Sequence, residues 1–158
     1  MLILKKYSNQ INELKPLVLA LGIELYGKEP NVELYLSYHE DSVWILYDGE
    51  TAVGFFSWFL TDNCGFGDEQ VFCDFMYIKK EYRAGIGFSI MMKKILDIAL
   101  EKNIEISIGL SSHTAKQLAK KGKAKFVFNI VEFSMEQIKD WHRRTTKITK
   151  QRKWYGIS

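Results

Sequence analysis

The stretch Val71 to Lys102, VFCDFMYIKKEYRAGIGFSIMMKKILDIALEK, leaves this chain few choices of fold. Its first part, Val71 to Ile78, is a run of β-branched and aromatic residues that reads as a strand, with Phe72, Asp74, Met76 and Ile78 on one face. Its last part sets Phe88, Met91, Met92, Ile95, Leu96 and Ala99 at three- and four-residue spacing, with Lys93, Lys94, Asp97 and Glu101 largely opposite. That pattern predicts an amphipathic helix seated on a sheet. Between the two, Ala84-Gly85-Ile86-Gly87 brings the backbone round with no side chain at two positions and predicts unpaired amides at a helix start. Such an end suits a pyrophosphate, because the amides can approach closely and the macrodipole favours negative charge. Lys79, Lys80 and Arg83 add mobile positive charge nearby. A lone G-x-G is more often only a tight turn, so the flanking residues decide.

Those residues, Met76-Tyr77-Ile78-Lys79-Lys80-Glu81-Tyr82-Arg83-Ala84-Gly85-Ile86-Gly87, resemble the coenzyme A pyrophosphate motif of the GNAT acetyltransferase superfamily. Lys80 stands where the family often has proline, and one residue is missing between Arg83 and Gly85. Similar short loops occur among bacteriophage members, which points to that branch. The resemblance implies a single α/β domain with a mixed, mostly antiparallel, splayed sheet and helices on both faces. It also implies acetyl-coenzyme A as cosubstrate, held by Met76, Tyr77, Ile78, Arg83, Ala84, Gly85, Ile86, Gly87 and Phe88. The activity it implies is transfer of an acetyl group to an amine by direct attack in a ternary complex.

The remaining chain supplies compatible elements. Leu2-Ile3-Leu4 reads as a first strand, and Ser8 or Asn9 is placed to cap a helix through Ile11, Leu14, Leu17, Val18, Leu21 and Leu25 that Pro16 kinks or restarts. Asn31 caps a shorter helix through Leu34, Tyr35 and Tyr38. Val43 to Tyr47 and Ala52 to Leu60 form a hairpin about Asp48-Gly49-Glu50. A polar loop is expected over Thr61 to Gln70, covering part of the site. Ile104, Ile106, Ile108 and Leu110 alternate as a strand parallel to the first of the motif, since a helix separates them. A helix through Ala115, Leu118 and Ala119 and a last strand from Phe126 to Phe133 follow.

With 158 residues and 47% apolar content the chain is long enough to bury one sizeable core. No run approaches the roughly 20 apolar residues of a membrane span, so a cytoplasmic protein is expected. Cys64 and Cys73 are expected as reduced thiols, and His39, His113 and His142 lack metal-ligand spacing. The net charge of +3 hides an asymmetry. Residues 136–158 hold 7 Lys and Arg against 2 Asp and Glu, giving the basic C-terminal segment +5 and the domain before it, residues 1–135, −2. Trp141, Arg143, Arg144, Lys147, Lys150, Arg152, Lys153, Trp154 and Tyr155 interleave cations with aromatics. They suit either nucleic acid or packing back on the body.

Acetyl transfer needs a deprotonated amine, a polarised thioester carbonyl and a proton for the thiolate. Asp74 is the first candidate base, flanked by apolar Phe72 and Phe75, and Glu69 at the strand entrance is the second. His113 is a weaker choice. A backbone amide near Met76 and Ile78 takes the carbonyl oxygen in the family. Leu118 falls in the slot where many members carry the tyrosine that protonates the thiolate, which leaves that donor unassigned. The acceptor stays open among small-molecule, peptide and RNA-borne amines, as does homodimerisation. A catalytically silent GNAT-like module that contacts protein or nucleic acid is the alternative reading.

Overall fold

A computed structural model describes residues 1–62, 69–109, 120, 125–127 and 130–154. Its elements in chain order are β1 (Leu2–Lys6), α1 (Ile11–Tyr26), α2 (Val32–His39), β2 (Val43–Asp48), β3 (Thr51–Asp62), β4 (Glu69–Ile78), α3 (Gly87–Lys102), β5 (Glu105–Gly109), β6 (Lys125–Val127), β7 (Ile130–Phe133) and α4 (Met135–Trp154). One seven-stranded sheet in the order β1-β2-β3-β4-β5-β7-β6 joins the strands. Every neighbouring pair is antiparallel except β4 and β5, which are parallel. The expected α/β domain with a mixed sheet is therefore the one observed.

Apolar side chains divide between the two faces of the sheet. One layer, with Leu46, Phe56, Met91, Met92, Ile95 and Leu96 at its centre, lies under α3 and takes Ile138 and Trp141 from α4. The other, built on Leu14, Leu17, Ile45, Phe55 and Tyr77, lies under α1 and α2. The basic C-terminal segment thus begins as a helix that buries Ile138 completely. His142 Nε2 meets Asp97 Oδ1 at 2.7 Å, so a polar contact also pins α4 to α3, and within α3 Lys93 Nζ holds Asp97 Oδ2 at 2.9 Å. Replacing Ile138 with alanine should cost about 2–5 kcal/mol. Thermal unfolding should then show a Tm lower by roughly 5–15 °C. An unchanged Tm would mean that α4 is not part of the packed domain.

The sheet departs from simple alternation at two places. On β3, Leu46 pairs with Gly54 and Tyr47 with Ala52, leaving Val53 extra. A Cβ on Gly54 would meet the Tyr77 carbonyl oxygen at 2.7 Å, so the close approach of β3 to β4 beside that bulge requires glycine. On β4, Ser57 pairs with Phe75 and Phe59 with Phe72, so Trp58 alone is opposed by both Cys73 and Asp74. That second bulge corrects the expected single face of Phe72, Asp74, Met76 and Ile78. Val71 and Cys73 before the bulge, and Met76 and Ile78 after it, all enter the α3 layer. Asp74 instead meets His39 of α2, and Phe72 stacks with Phe59 beside it.

Smaller expectations are also revised. Neither Ser8 nor Asn9 caps α1; Gln10 precedes the helix and exchanges hydrogen bonds with Ser8, while Asn9 turns the chain at φ 73°. The helix runs through Pro16. Asn31 does cap α2, its Oδ1 accepting the Leu34 amide at 3.0 Å. The expected loop is shorter, since Thr61 pairs with Gln70 and Asp62 with Glu69. The expected last strand is two, β6 and β7, with Val127 paired to Ile130; a mostly apolar run hid the reversal. Asn103 ends α3 in the left-handed conformation, with φ 56°. The expectations at Cys64, Leu110, Ser112, His113, Ala115, Leu118 and Tyr155, and those for the side chains of Lys147 to Trp154, lie outside the described residues. Among described residues no helix is long and apolar enough to cross a membrane, and no group of acidic, histidine or cysteine side chains has metal-site geometry.

Candidate acetyl-transfer site

Parallel pairing between β4 and β5 runs only from Gln70–Glu105 to Cys73–Ile108. β4 continues to Ile78, so the segment Asp74–Ile78, about 16 Å at strand rise, has no partner on that side among the described residues. This is the splay. Lys79 N–H donates to the Val53 carbonyl on β3. Since amides alternate sides along a strand, Met76 and Ile78 direct theirs toward the open edge. The Ile78 carbonyl on that edge is taken by Arg83 Nε at 2.8 Å.

At the far end of the splay, a short turn over Lys80–Tyr82 leads into α3. The Arg83 amide bonds the Lys80 carbonyl and the Gly85 amide bonds the Tyr82 carbonyl, so these two are engaged. The amides of Ile86, Gly87, Phe88 and Ser89 have no acceptor among the described residues; the first intrahelical bond comes from Ile90 to Ile86. A cluster of four donors with the positive end of a sixteen-residue helix behind it fits a diphosphate. The two glycines there differ. A Cβ on Gly87 would meet Leu46 at 2.9 Å, whereas one on Gly85 would find only the Tyr82 carbonyl oxygen, at 3.4 Å. Gly87 lets α3 seat on the sheet, and Gly85 keeps the approach to the amides clear.

Arg83 is no mobile cation. Its Nη2 holds Glu24 Oε2 of α1 at 2.6 Å, and its guanidinium lies over the Tyr77 ring. The Arg83 hydrogen bond lowers the Glu24 pKa below the usual glutamate range, and the same contact raises that of Arg83. Burial, followed by the Glu24 charge, raises the Tyr77 hydroxyl. A depressed carboxylate adds stability that is present above its unfolded pKa and lost as pH falls through the folded one. The Glu24–Arg83 contribution should therefore be complete at neutral pH and fade on acidification from the ordinary glutamate range downward. Tm measured against pH for the wild type and Glu24→Gln should converge at the acid end. Parallel curves would remove this role for the pair.

The vertex, where β5 leaves β4, carries the polar chemistry. Asp74 Oδ1 accepts the Ser57 hydroxyl at 2.8 Å and the Phe75 amide at 2.9 Å, and Oδ2 lies 3.1 Å from His39 Nε2. Ser57 is fully buried and His39 is 8% exposed, inside a wall formed by Tyr35, Phe59 and Phe75. The Phe72 ring reaches the end of β5, close to Gly109. Burial drives the Tyr35 hydroxyl far above the usual tyrosine range, although Ser57 opposes this, so it stays protonated. Burial likewise raises the Cys73 thiol, with Asp74 adding to the effect, which leaves it an inert free thiol.

The structure thus sets Asp74, Met76 and Ile78 along the end of β4 that leads to the α3 start, whereas the Tyr77 side chain packs into the α1–α2 layer. Glu69 is not brought there. It is exposed at the opposite end of β4, five residues or roughly 16 Å from Asp74. Sequence reasoning missed His39 and Ser57. A signal for His39 was present in the spacing Val32, Tyr35, Leu36, His39, which marks the buried stripe of α2. In the basic segment, Arg143 and Arg144 both pair with Asp140.

No family model and no curated protein matches the sequence. Solved structures do match the fold. An acetyltransferase of the GNAT family from Staphylococcus aureus superposes with a TM-score of 0.61 at 16% identity, covering 80% of this chain and 86% of that one. Arabidopsis thaliana Naa50 in complex with the bisubstrate analogue CoA-Ac-MVNAL gives 0.61 at 19% identity, over 85% and 99%. Ard1 from Thermoplasma volcanium gives 0.63 at 14%, over 83% and 94%. Sheet order, the splay at Cys73–Asp74 and these superpositions together establish that this chain has the fold of the GNAT acetyltransferases.

Proposed function

We propose that the protein is an acyl-coenzyme A dependent N-acetyltransferase that works by direct attack in a ternary complex. The observation that carries this reading is one continuous track. Free amides at the start of α3 lead along the unpartnered edge of β4 to a held carboxylate at the vertex. In this reading Ile86 to Ser89 hold the diphosphate, and the outward amides of Met76 and Ile78 hold the acyl arm and polarise the thioester carbonyl. Asp74 takes a proton from the acceptor ammonium, and the amine nitrogen then attacks the carbonyl carbon. The C–S bond breaks, the second proton of the nitrogen passes to water, and the thiolate takes a proton back from that water. Acetyl-coenzyme A as cosubstrate agrees with the neighbours, since Naa50 was captured with a coenzyme A bisubstrate analogue and NatC with coenzyme A.

The alternative of a silent module rested on Leu118 and the shortened turn. Against it, a largely buried carboxylate that accepts two hydrogen bonds and sits 3.1 Å from His39 Nε2 is costly to desolvate and serves no packing need visible around it. Nothing in the names of the three neighbours supports a bacteriophage branch. The acceptor is an amine that enters from the α1–α2 side, where Asp74 faces. Isothermal titration with acetyl-coenzyme A, followed by thiol release with a free N-terminal peptide, spermidine and an aminoglycoside, tests the proposal. Micromolar binding and release with at least one amine are expected. Absence of heat at high micromolar acetyl-coenzyme A would overturn it.

A further inference from the structure

We infer that His39 is the positioning residue for Asp74, aiming the carboxylate's one unused lone pair at the acceptor. The inference rests on the acetyl-transfer reading for its catalytic meaning and on geometry for the rest. An ionised carboxylate offers about four acceptor positions. Ser57 and the Phe75 amide take those of Oδ1, and His39 Nε2 stands 3.1 Å from Oδ2 as an ion-pair contact. The remaining position on Oδ2 is the place left for an ammonium, and its direction is fixed by where His39 stands.

His39 is itself fixed. It is the last residue of α2, packed against Tyr35 with ring centroids 4.8 Å apart and flanked edge-on by Phe75. Its Nδ1 is buried with no partner. A proton on Nδ1 would be a stranded donor, whereas a proton on Nε2 has the Asp74 carboxylate 3.1 Å away, so the Nε2–H tautomer is the one this cage selects. The imidazole has no route to the acceptor through its other nitrogen. It acts through Asp74.

Glutamine places an amide nitrogen near the position of Nε2, so His39→Gln retains a donor to Asp74, and His39→Leu removes it while filling the space. With any amine that the wild type acetylates, His39→Leu should lower kcat by about 10- to 100-fold, a loss typical of a misplaced reacting group. Its KM for acetyl-coenzyme A should stay within about twofold, because that site depends on α3 and the β4 edge. His39→Gln should recover most of the lost kcat. Nitrogen-15 spectra of the resting protein should show a protected proton on His39 Nε2 that is lost in Asp74→Ala. Equal kcat in wild type and His39→Leu, equal losses in the Leu and Gln variants, or a proton on Nδ1 would each overturn the assignment. Failure of the wild type to bind acetyl-coenzyme A overturns the acetyl-transfer reading instead, and the catalytic role with it.

Discussion

Asp74→Asn should lower kcat by roughly 10²- to 10⁴-fold, the range lost with a general base, and leave acetyl-coenzyme A affinity within about twofold. Asparagine keeps the shape of the side chain, and its oxygen can still accept from Ser57 and the Phe75 amide. Its amide nitrogen, however, would face His39 Nε2 and the incoming amine with hydrogens rather than a lone pair. The proton then has nowhere to go. Steady-state thiol release measures kcat, and titration calorimetry on the same variant measures affinity. Unchanged turnover would remove Asp74 as base, and a parallel fall in affinity would mean that the vertex and the phosphate end are not separate sites.

The second large effect is expected at Gly85. A phenylalanine there has room, since a Cβ meets nothing closer than the Tyr82 carbonyl oxygen at 3.4 Å, and the backbone is not left-handed at this position. The fold should survive with a Tm close to wild type. The ring would stand beside the amides of Ile86 to Ser89 and block a diphosphate from them. Each hydrogen bond to a charged group contributes about 1.5–3 kcal/mol, so losing two lowers affinity by roughly 100-fold or more. Gly87→Leu is the contrasting variant. Its side chain would be driven into Leu46, and overpacking of about 1–3 kcal/mol should appear as lost stability. Full acetyl-coenzyme A affinity in Gly85→Phe would show that these amides do not hold the diphosphate.

The strand, turn and helix of residues 71–102 were legible because their signals are local: β-branched runs, paired glycines and a 3.6-residue stripe. The hairpin before them was legible for the same reason, from Asp48-Gly49. Asp74 was singled out by its type and its apolar neighbours, yet its face was misread, because a bulge depends on how β3 pairs and leaves no mark on β4 itself. Arg83 looked mobile since its partner, Glu24, lies 59 residues away. The grouping of His39 and Ser57 around Asp74 joins three elements, and only the folded chain shows it. Asn129 in the run Phe126 to Phe133 was the one sign of a reversal there, and six apolar neighbours outweighed it.

The bulge at Cys73–Asp74 also determines where the chain tolerates a change in length. Deleting one residue there would restore strict alternation and rotate all of β4 beyond it by half a turn. Phe75 and Tyr77 would swing under α3, Met76 and Ile78 would swing under α1, and the amides now facing the splay would turn toward β3. Both hydrophobic layers and the ligand edge would be exchanged in one step. A length change at the β3–β4 tip disturbs none of these relations. Variation in length between this protein and its kin should therefore gather at the tip of the hairpin and be absent from the bulge.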